Sequence, residues 1–271
     1  VVEADAAVVR LVAVDRMAVA RVRARLAEFV GSLWDGMTAW RGEDVDAFVA
    51  RLLPVALGSQ RQVAALTDAY LARLAATMLG AGRPLGVDPD EVTGRALRGV
   101  DPREVYRRAG VSVWTALAEG KPLEVAVAEG RRRALSLALT DVQLARTHTA
   151  RAVFARDGRV VGHRRTLSGS ENCGICVVAS TQRYRRGDLQ PIHPGCDCGV
   201  EPIYGTRDPG QVIDHDTLAA AHSAIEDRFG VSDAGGRDPI DYRKVLLVRE
   251  HGELGPVLTV AGQHFTGPAQ L

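Results

Sequence analysis

At 271 residues, 46% hydrophobic and 25% charged, the chain is ample for a globular protein of one or two domains. Aromatics make up only 5%, so a core has to be built from Val, Leu and Ala, which favours close helix packing over a broad aromatic pocket. A formal charge of +1 excludes no class of partner. No stretch approaches the roughly 20 apolar residues of a membrane-spanning helix, and nothing in the chain reads as a targeting segment.

The first half reads as helix. Val12, Val19, Val22, Leu26, Phe29 and Leu33 follow spacings of three and four after an initial gap, a narrow apolar stripe of coiled-coil type. Val45, Phe48, Val49 and Leu52 mark a second helix that Pro54 should end or kink. Val63, Leu66, Tyr70, Leu74 and Met78 mark a third, and Gly80-Ala81-Gly82-Arg83-Pro84 then breaks the pattern. Two similar helix starts follow, at Asp88-Pro89-Asp90-Glu91 and Asp101-Pro102-Arg103-Glu104, with Asp as cap, Pro at the first helical position and Glu placed for a capping box. Pro122 opens a long helix reaching about Arg156, and Leu135, Ala138, Val142, Ala145, Thr149 and Ala152 form a small-residue seam suited to a partner helix. Arg131-Arg132-Arg133 within it reads as a solvated stripe.

Past Asp157-Gly158 the character changes. Strands are predicted at 159–166 and 200–204, a helix over 217–229, and a hairpin from 245–249 and 257–260. Asp214-His215-Asp216 reads as a helix cap and His222 as an ordinary packed or exposed residue. The expected class is α+β. A helical region spans 1–82, and a second, ending in the long helix, spans 83–157. A small zinc-stabilised β-rich module covers 158–205 and a mixed helix-and-hairpin tail 206–271.

All four cysteines fall in one window, as Cys173-Gly174-Ile175-Cys176 and His193-Pro194-Gly195-Cys196-Asp197-Cys198. A tight CxxC turn brings two thiolates to one side of the chain, and zinc then needs two more ligands to complete a tetrahedron. Cys196 supplies one, and Cys198 and His193 compete for the other. On a regular strand Cys196 and Cys198 would point to opposite faces, so both can bind only where the backbone bends, which Gly195 and Gly199 permit. The residue left out of the ligand set would serve as a hydrogen-bonding neighbour. Disulfides fit less well, because CxC is short for a bridge and the chain is not a small Cys-dense scaffold. A catalytic zinc needs an open position and a nearby base; neither a His-x-Glu before Pro-Cys-x-x-Cys nor a His-Glu-x-x-His is present, so the ion is read as structural and the protein as no enzyme.

From Arg146 to Arg186 nine arginines face two acids, Asp157 and Glu171. Arg146, Arg151, Arg164, Arg165, Arg183, Arg185 and Arg186 are candidates for a basic face that meets DNA phosphates without reading sequence, or an acidic protein partner. A zinc-dependent nuclease and a DNA-binding adaptor are the rival readings.

The segment from about Leu144 to Ile203 resembles the Mu F-protein (MuF-like) family of phage minor head, or head-morphogenesis, proteins. The likeness rests on Arg146-Thr147 near the end of a long helix, the Cys-x-x-Cys after a short strand, and Pro191-Ile192-His193-Pro194-Gly195-Cys196-Asp197-Cys198. His148 stands where the family commonly has Glu, and Asp197 where it commonly has Arg. The resemblance implies a protein made in the host cytoplasm and carried in few copies in the virion, at the portal vertex or in the head interior. There it would contact portal, inner capsid or scaffold proteins and assist assembly, DNA packaging or delivery. Self-association through the helical seams and non-specific DNA contact are further expectations.

Overall fold

The computed structural model describes residues 6–167, 176, 179–180, 183–190, 198–205, 223, 226, 246–251 and 255–260. Helix α1 spans Ala6–Asp35 and buries Val12, Val19, Val22, Leu26 and Leu33, with Phe29 packed beside them. Helix α2 spans Gly42–Leu79 as one element with Pro54 inside it. The predicted break is thus corrected. Pro54 and Ala50 lie on the exposed side, so the carbonyl deprived of its N–H partner faces water. Val45, Phe48, Val49 and Leu52 before Pro54 and Ala56 and Val63 after it are buried in one core, and this burial outweighs the ~3 kcal/mol penalty of an interior proline.

Gly80 ends α2 in the left-handed conformation, its N–H bonded to the Ala76 carbonyl at 2.9 Å. The following segment returns along α2, where both oxygens of the buried Asp68 carboxylate accept from the Leu85 and Gly86 N–H groups at 2.9 Å. Asp88 and Asp101 cap the next helices as predicted, accepting from Asp90 N at 3.0 Å and Arg103 N at 2.8 Å. The first, α3 (Pro89–Val92), is a single turn, and α4 runs Pro102–Ala118. Glu91 reaches away to Arg156 at 2.5 Å.

Helix α5, Leu123–Arg156, is the central element. The seam residues Ala138, Val142, Ala145 and Thr149 are buried within this chain, and so is every residue from Thr140 to Thr147. Helices α1, α2 and α4 pack around it in one core that includes residues from both sides of the Gly80–Pro84 break. A buried polar network crosses this core. Asp141 accepts from Arg98 Nε at 2.7 Å and from the Tyr106 hydroxyl at 2.9 Å; Gln60 donates to that hydroxyl and takes the Gly94 N–H.

Trp34, almost fully enclosed, packs edge-on to Phe48 with centroids 5.1 Å apart and donates to the Val127 carbonyl at 3.2 Å. It fits because α5 presents Gly130, where an added Cβ would lie 2.5 Å from both Trp34 and Val113 side-chain carbons. In an open helix Gly→Ala gains up to about 1 kcal/mol. Here Gly130→Ala is expected to destabilise by about 1–3 kcal/mol through overpacking, and a raised urea midpoint would contradict this packing.

At the C-terminal end of α5 the chain forms an antiparallel sheet in the order β2-β1-β3, from Val160–Thr166 (β1), Arg183–Arg185 (β2) and Gly199–Tyr204 (β3). The first and third match the predicted strands; β2 was not predicted. Pro202 is compatible with β3 because β3 is an edge. Val160, Val200 and Tyr204 join Val8, Val12, Tyr70, Leu74, Val153 and Phe154 in a second core that holds the sheet to the helices. The predicted hairpin forms from Leu246–His251 (β4) and Gly255–Val260 (β5), paired antiparallel. Of the predicted 217–229 helix, Ser223 and Glu226 are helical and exposed; its remainder, with His215 and His222, lies outside the described residues.

Candidate metal centre

The central strand β1 alternates its side chains, so the sheet carries two chemistries. His163 and Arg165 share one face, with Tyr184 directly opposite His163. Arg164 and Thr166 share the other, with Glu201 opposite Arg164.

The first face holds the described thiols. Cys176 and Cys198 are 4% and 2% exposed. Cys198 immediately precedes β3. Its position is fixed from two sides. Gln143 of α5 donates to the Cys198 carbonyl at 3.1 Å, and Arg165 of β1 donates through Nη1 to the Cys198 sulfur at 3.5 Å. The next residue has to be glycine, because a Cβ on Gly199 would lie 2.5 Å from the Thr166 hydroxyl and 3.2 Å from Arg146.

Arg165 also donates to the Gln190 carbonyl and lies over the Tyr184 ring, 5.8 Å from its centroid. The Tyr184 hydroxyl donates to the Ala179 carbonyl at 3.0 Å. Burial pushes this phenol up to about 12; Arg165 opposes the rise, and Cys198 and Cys176 both add to it. The two thiols therefore stand near one phenol although they come from opposite ends of the cysteine window. His163 is sandwiched between Phe154 and Tyr184, with centroids at 5.9 and 5.1 Å, and burial with Arg165 nearby pushes its imidazole down to about 3. It is a neutral packing element.

Two buried sulfurs approaching one phenol, with a guanidinium N–H on one of them, suit a soft cation bound by thiolates. Cys173, His193 and Cys196 lie outside the described residues, and among the described ones no group of three ligating side chains assembles.

The second face holds a buried ion cluster that the sequence pattern did not reveal. Asp15 and Arg16 of α1, Tyr70 of α2, Arg146 of α5, Arg164 and Glu201 act on one another across the junction of helices and sheet. Arg146 donates to Asp15, both side chains nearly inaccessible. Burial raises the Asp15 carboxyl above its ordinary value, against the pull of Arg146 and Arg16. Burial likewise pushes Tyr70 up, with Glu201 and Asp15 adding to the shift.

The seven arginines predicted as one basic face are divided by the fold, and that expectation is corrected. Arg146, Arg164 and Arg165 are interior, on the two faces of the sheet. Arg151 is half-buried and donates to the Leu189 carbonyl at 2.8 Å and to Gln190 at 3.0 Å. Only Arg183, Arg185 and Arg186 are exposed, together on and beside the edge strand β2. Within the long helix, Arg131 pairs with Asp35 at 2.8 Å. His148, where the resembled family commonly has an acid, is pushed down to about 4 by burial and then by Arg151, so it is neutral at ordinary pH.

No family model matches the chain, and no curated protein or solved structure matches it either.

Proposed function

We propose that the chain is a phage or prophage minor head protein: a helical body carrying a small zinc-stabilised β module, acting at the portal or the inner head shell in assembly, DNA packaging or delivery. The observation that carries this reading is the burial of Cys176 and Cys198 beside Tyr184, at the end of the long helix where the resemblance expects a thiolate module. Cys173, Cys176 and Cys196, with Cys198 or His193, would hold the ion. When bound, zinc supplies a cross-link between two short segments and no reaction step.

The helical body has its own core, which accounts for a protein that stays folded while its module depends on metal. Arg183, Arg185 and Arg186 on the exposed edge supply a short cationic ridge for packaged DNA or for an acidic surface of portal, inner capsid or scaffold partners.

The purified chain is expected to carry about one zinc. Strong chelator is expected to open residues 159–204 to protease while helical circular dichroism is largely retained. A metal-free chain whose module resists protease equally with and without chelator would defeat the zinc reading. The virion role is tested separately: mass spectrometry of purified particles should find the protein at low copy number, and its absence from particles combined with steeply salt-dependent DNA binding would favour an adaptor outside the virion.

A further inference from the structure

Helix α1 has two apolar sides. The buried one, with Val8, Val12, Val19, Val22 and Leu26, packs on the other helices and on the sheet. On the opposite side Ala6, Arg10, Ala13, Met17, Ala20 and Ala24 follow alternating steps of four and three residues, and all six are exposed. Such steps average roughly 3.5 residues, the repeat of one helix packed along another, and the strip is about 27 Å long. Met17 at its centre is 55% exposed, and Val9 and Val14 on its two flanks are 38% and 51% exposed. Single apolar side chains are ordinary on a surface, but these three fall within nine residues of one helix and are joined by alanines.

The charges along this strip have one sign. Arg10, Arg21 and Arg25 are exposed and make no ion pair among the described residues, and this side of the helix carries no acid before Glu28. Arg21 lies back along the helix, its Nε donating to the Met17 carbonyl at 3.2 Å, which keeps a cationic group beside the centre of the strip.

These features select among the occupants of such a face. A second copy of the same face would set three guanidinium groups against three, answered only by Glu28, and like charges between paired helices repel. A lipid surface is met by bulky Leu, Phe and Trp side chains, whereas four of the six strip positions are Ala. Nucleic acid attracts arginines but gains nothing from covering Met17, Val9 and Val14. Alanine lets a neighbouring helix axis come close, and the shallow groove it leaves is filled by longer apolar side chains from that helix. Arginines along the margin then pair with carboxylates across the contact.

We propose that the solvent side of α1 is a docking surface for an acidic amphipathic helix of another protein. The apolar stripe of that helix lies along Ala13, Met17, Ala20 and Ala24, and its Asp or Glu side chains meet Arg10, Arg21 and Arg25. The surface belongs to the helical body and uses neither the thiols nor the ridge of Arg183, Arg185 and Arg186, so it stands whether or not the chain binds metal or enters a virion.

The probes are helical peptides of about four heptads, with Leu along one side and Glu, Gln or Lys on both margins. Each is titrated into the full chain and followed by fluorescence anisotropy. The Glu peptide is expected to bind about tenfold more tightly than the Gln peptide, and the Lys peptide more weakly than either. Met17→Glu should weaken the Glu peptide by about tenfold. The double variant Arg21→Glu, Arg25→Glu should reverse the order, so that the Lys peptide becomes the tightest. All three positions are exposed, so the variants are expected to unfold near the wild-type urea midpoint.

No binding by the Glu peptide, equal affinity for the Glu and Lys peptides, or an order that the charge reversal leaves unchanged overturns the proposal. A wild-type dimer, or binding to phosphatidylglycerol vesicles or duplex DNA, that these substitutions abolish also overturns it, because each assigns the face to a different occupant.

Discussion

Asp15→Ala is expected to lower the unfolding free energy by about 3–5 kcal/mol, because it leaves the Arg146 guanidinium in the interior without the carboxylate that accepts from it. Asp15 and Arg146 belong to α1 and α5, 131 residues apart, and both are almost inaccessible where the helices meet the sheet. The other acid of the cluster, Glu201, is shared among Arg16, Arg164 and Arg146 and does not replace the direct Asp15 contact. The pair itself is a poor net stabiliser. Burial raises Asp15 despite Arg146 and Arg16, which means that desolvation outweighs the attraction at this carboxyl. Removing both charges with Asp15→Leu and Arg146→Met is therefore expected to recover most of the loss. Urea unfolding followed by far-ultraviolet circular dichroism measures both variants. A single-variant loss below about 1 kcal/mol, or a double variant as unstable as the single, would contradict the burial of this pair.

How much of this is legible in the sequence depends on whether the signal is local. Helices α1, α3, α4 and α5 follow from period or caps: Asp88 and Asp101 sit before the prolines that open α3 and α4, and each accepts from the N–H two residues on. The hairpin β4–β5 follows from two apolar runs around a turn. Pro54 misleads because the local rule penalises an interior proline without knowing that its face is solvated and that Leu52 and Ala56, on either side of it, bury in one core. Strand β2 is three residues long, Arg-Tyr-Arg, too short for an alternation pattern to emerge.

The candidate site divides the same way. Cysteine spacing is a local signal, and by itself it singles out Cys173, Cys176 and Cys196 with Cys198 or His193; around the described Cys176 and Cys198 the fold adds the neighbours, Arg165, Tyr184 and Gln143, that no spacing could supply. The arginines of 146–165 read as a surface because arginine is seldom buried unless paired, and their partners are remote in sequence. One trace of the ion cluster is present in the sequence: the apolar stripe of α1 passes from Val12 to Val19 over a gap, and Asp15 fills the gap at the spacing where an apolar residue belongs. A charge on a core-facing position signals a buried partner, although only the fold identifies it as Arg146.

Glu201 gives the cluster a pH signature with a defined sign. Its carboxyl is completely enclosed, and burial pushes it up from 4.5 to about 7, against the pull of Arg16, Arg164, Arg146 and Tyr70. Between those values the native state keeps a proton that the unfolded chain has released. The stabilisation from this group is therefore full below about pH 4.5 and is lost as pH rises through about 7. A shift of this size corresponds to about 3 kcal/mol. Glu201→Gln keeps the shape and the neutral form at every pH, so the variant minus wild-type difference in unfolding free energy is expected to grow by about 3 kcal/mol between pH 4.5 and 8, in favour of the variant at the alkaline end. The difference is the quantity to measure, because His163 and His148, held down to about 3 and about 4, titrate in the opposite sense and raise the stability of both proteins as pH climbs toward the ordinary imidazole value. Their contribution cancels between the two proteins, and the contribution of Glu201 does not. Urea midpoints taken at half-unit pH steps would reveal the divergence, and parallel curves would mean that the three guanidinium groups keep Glu201 ionised in the interior throughout.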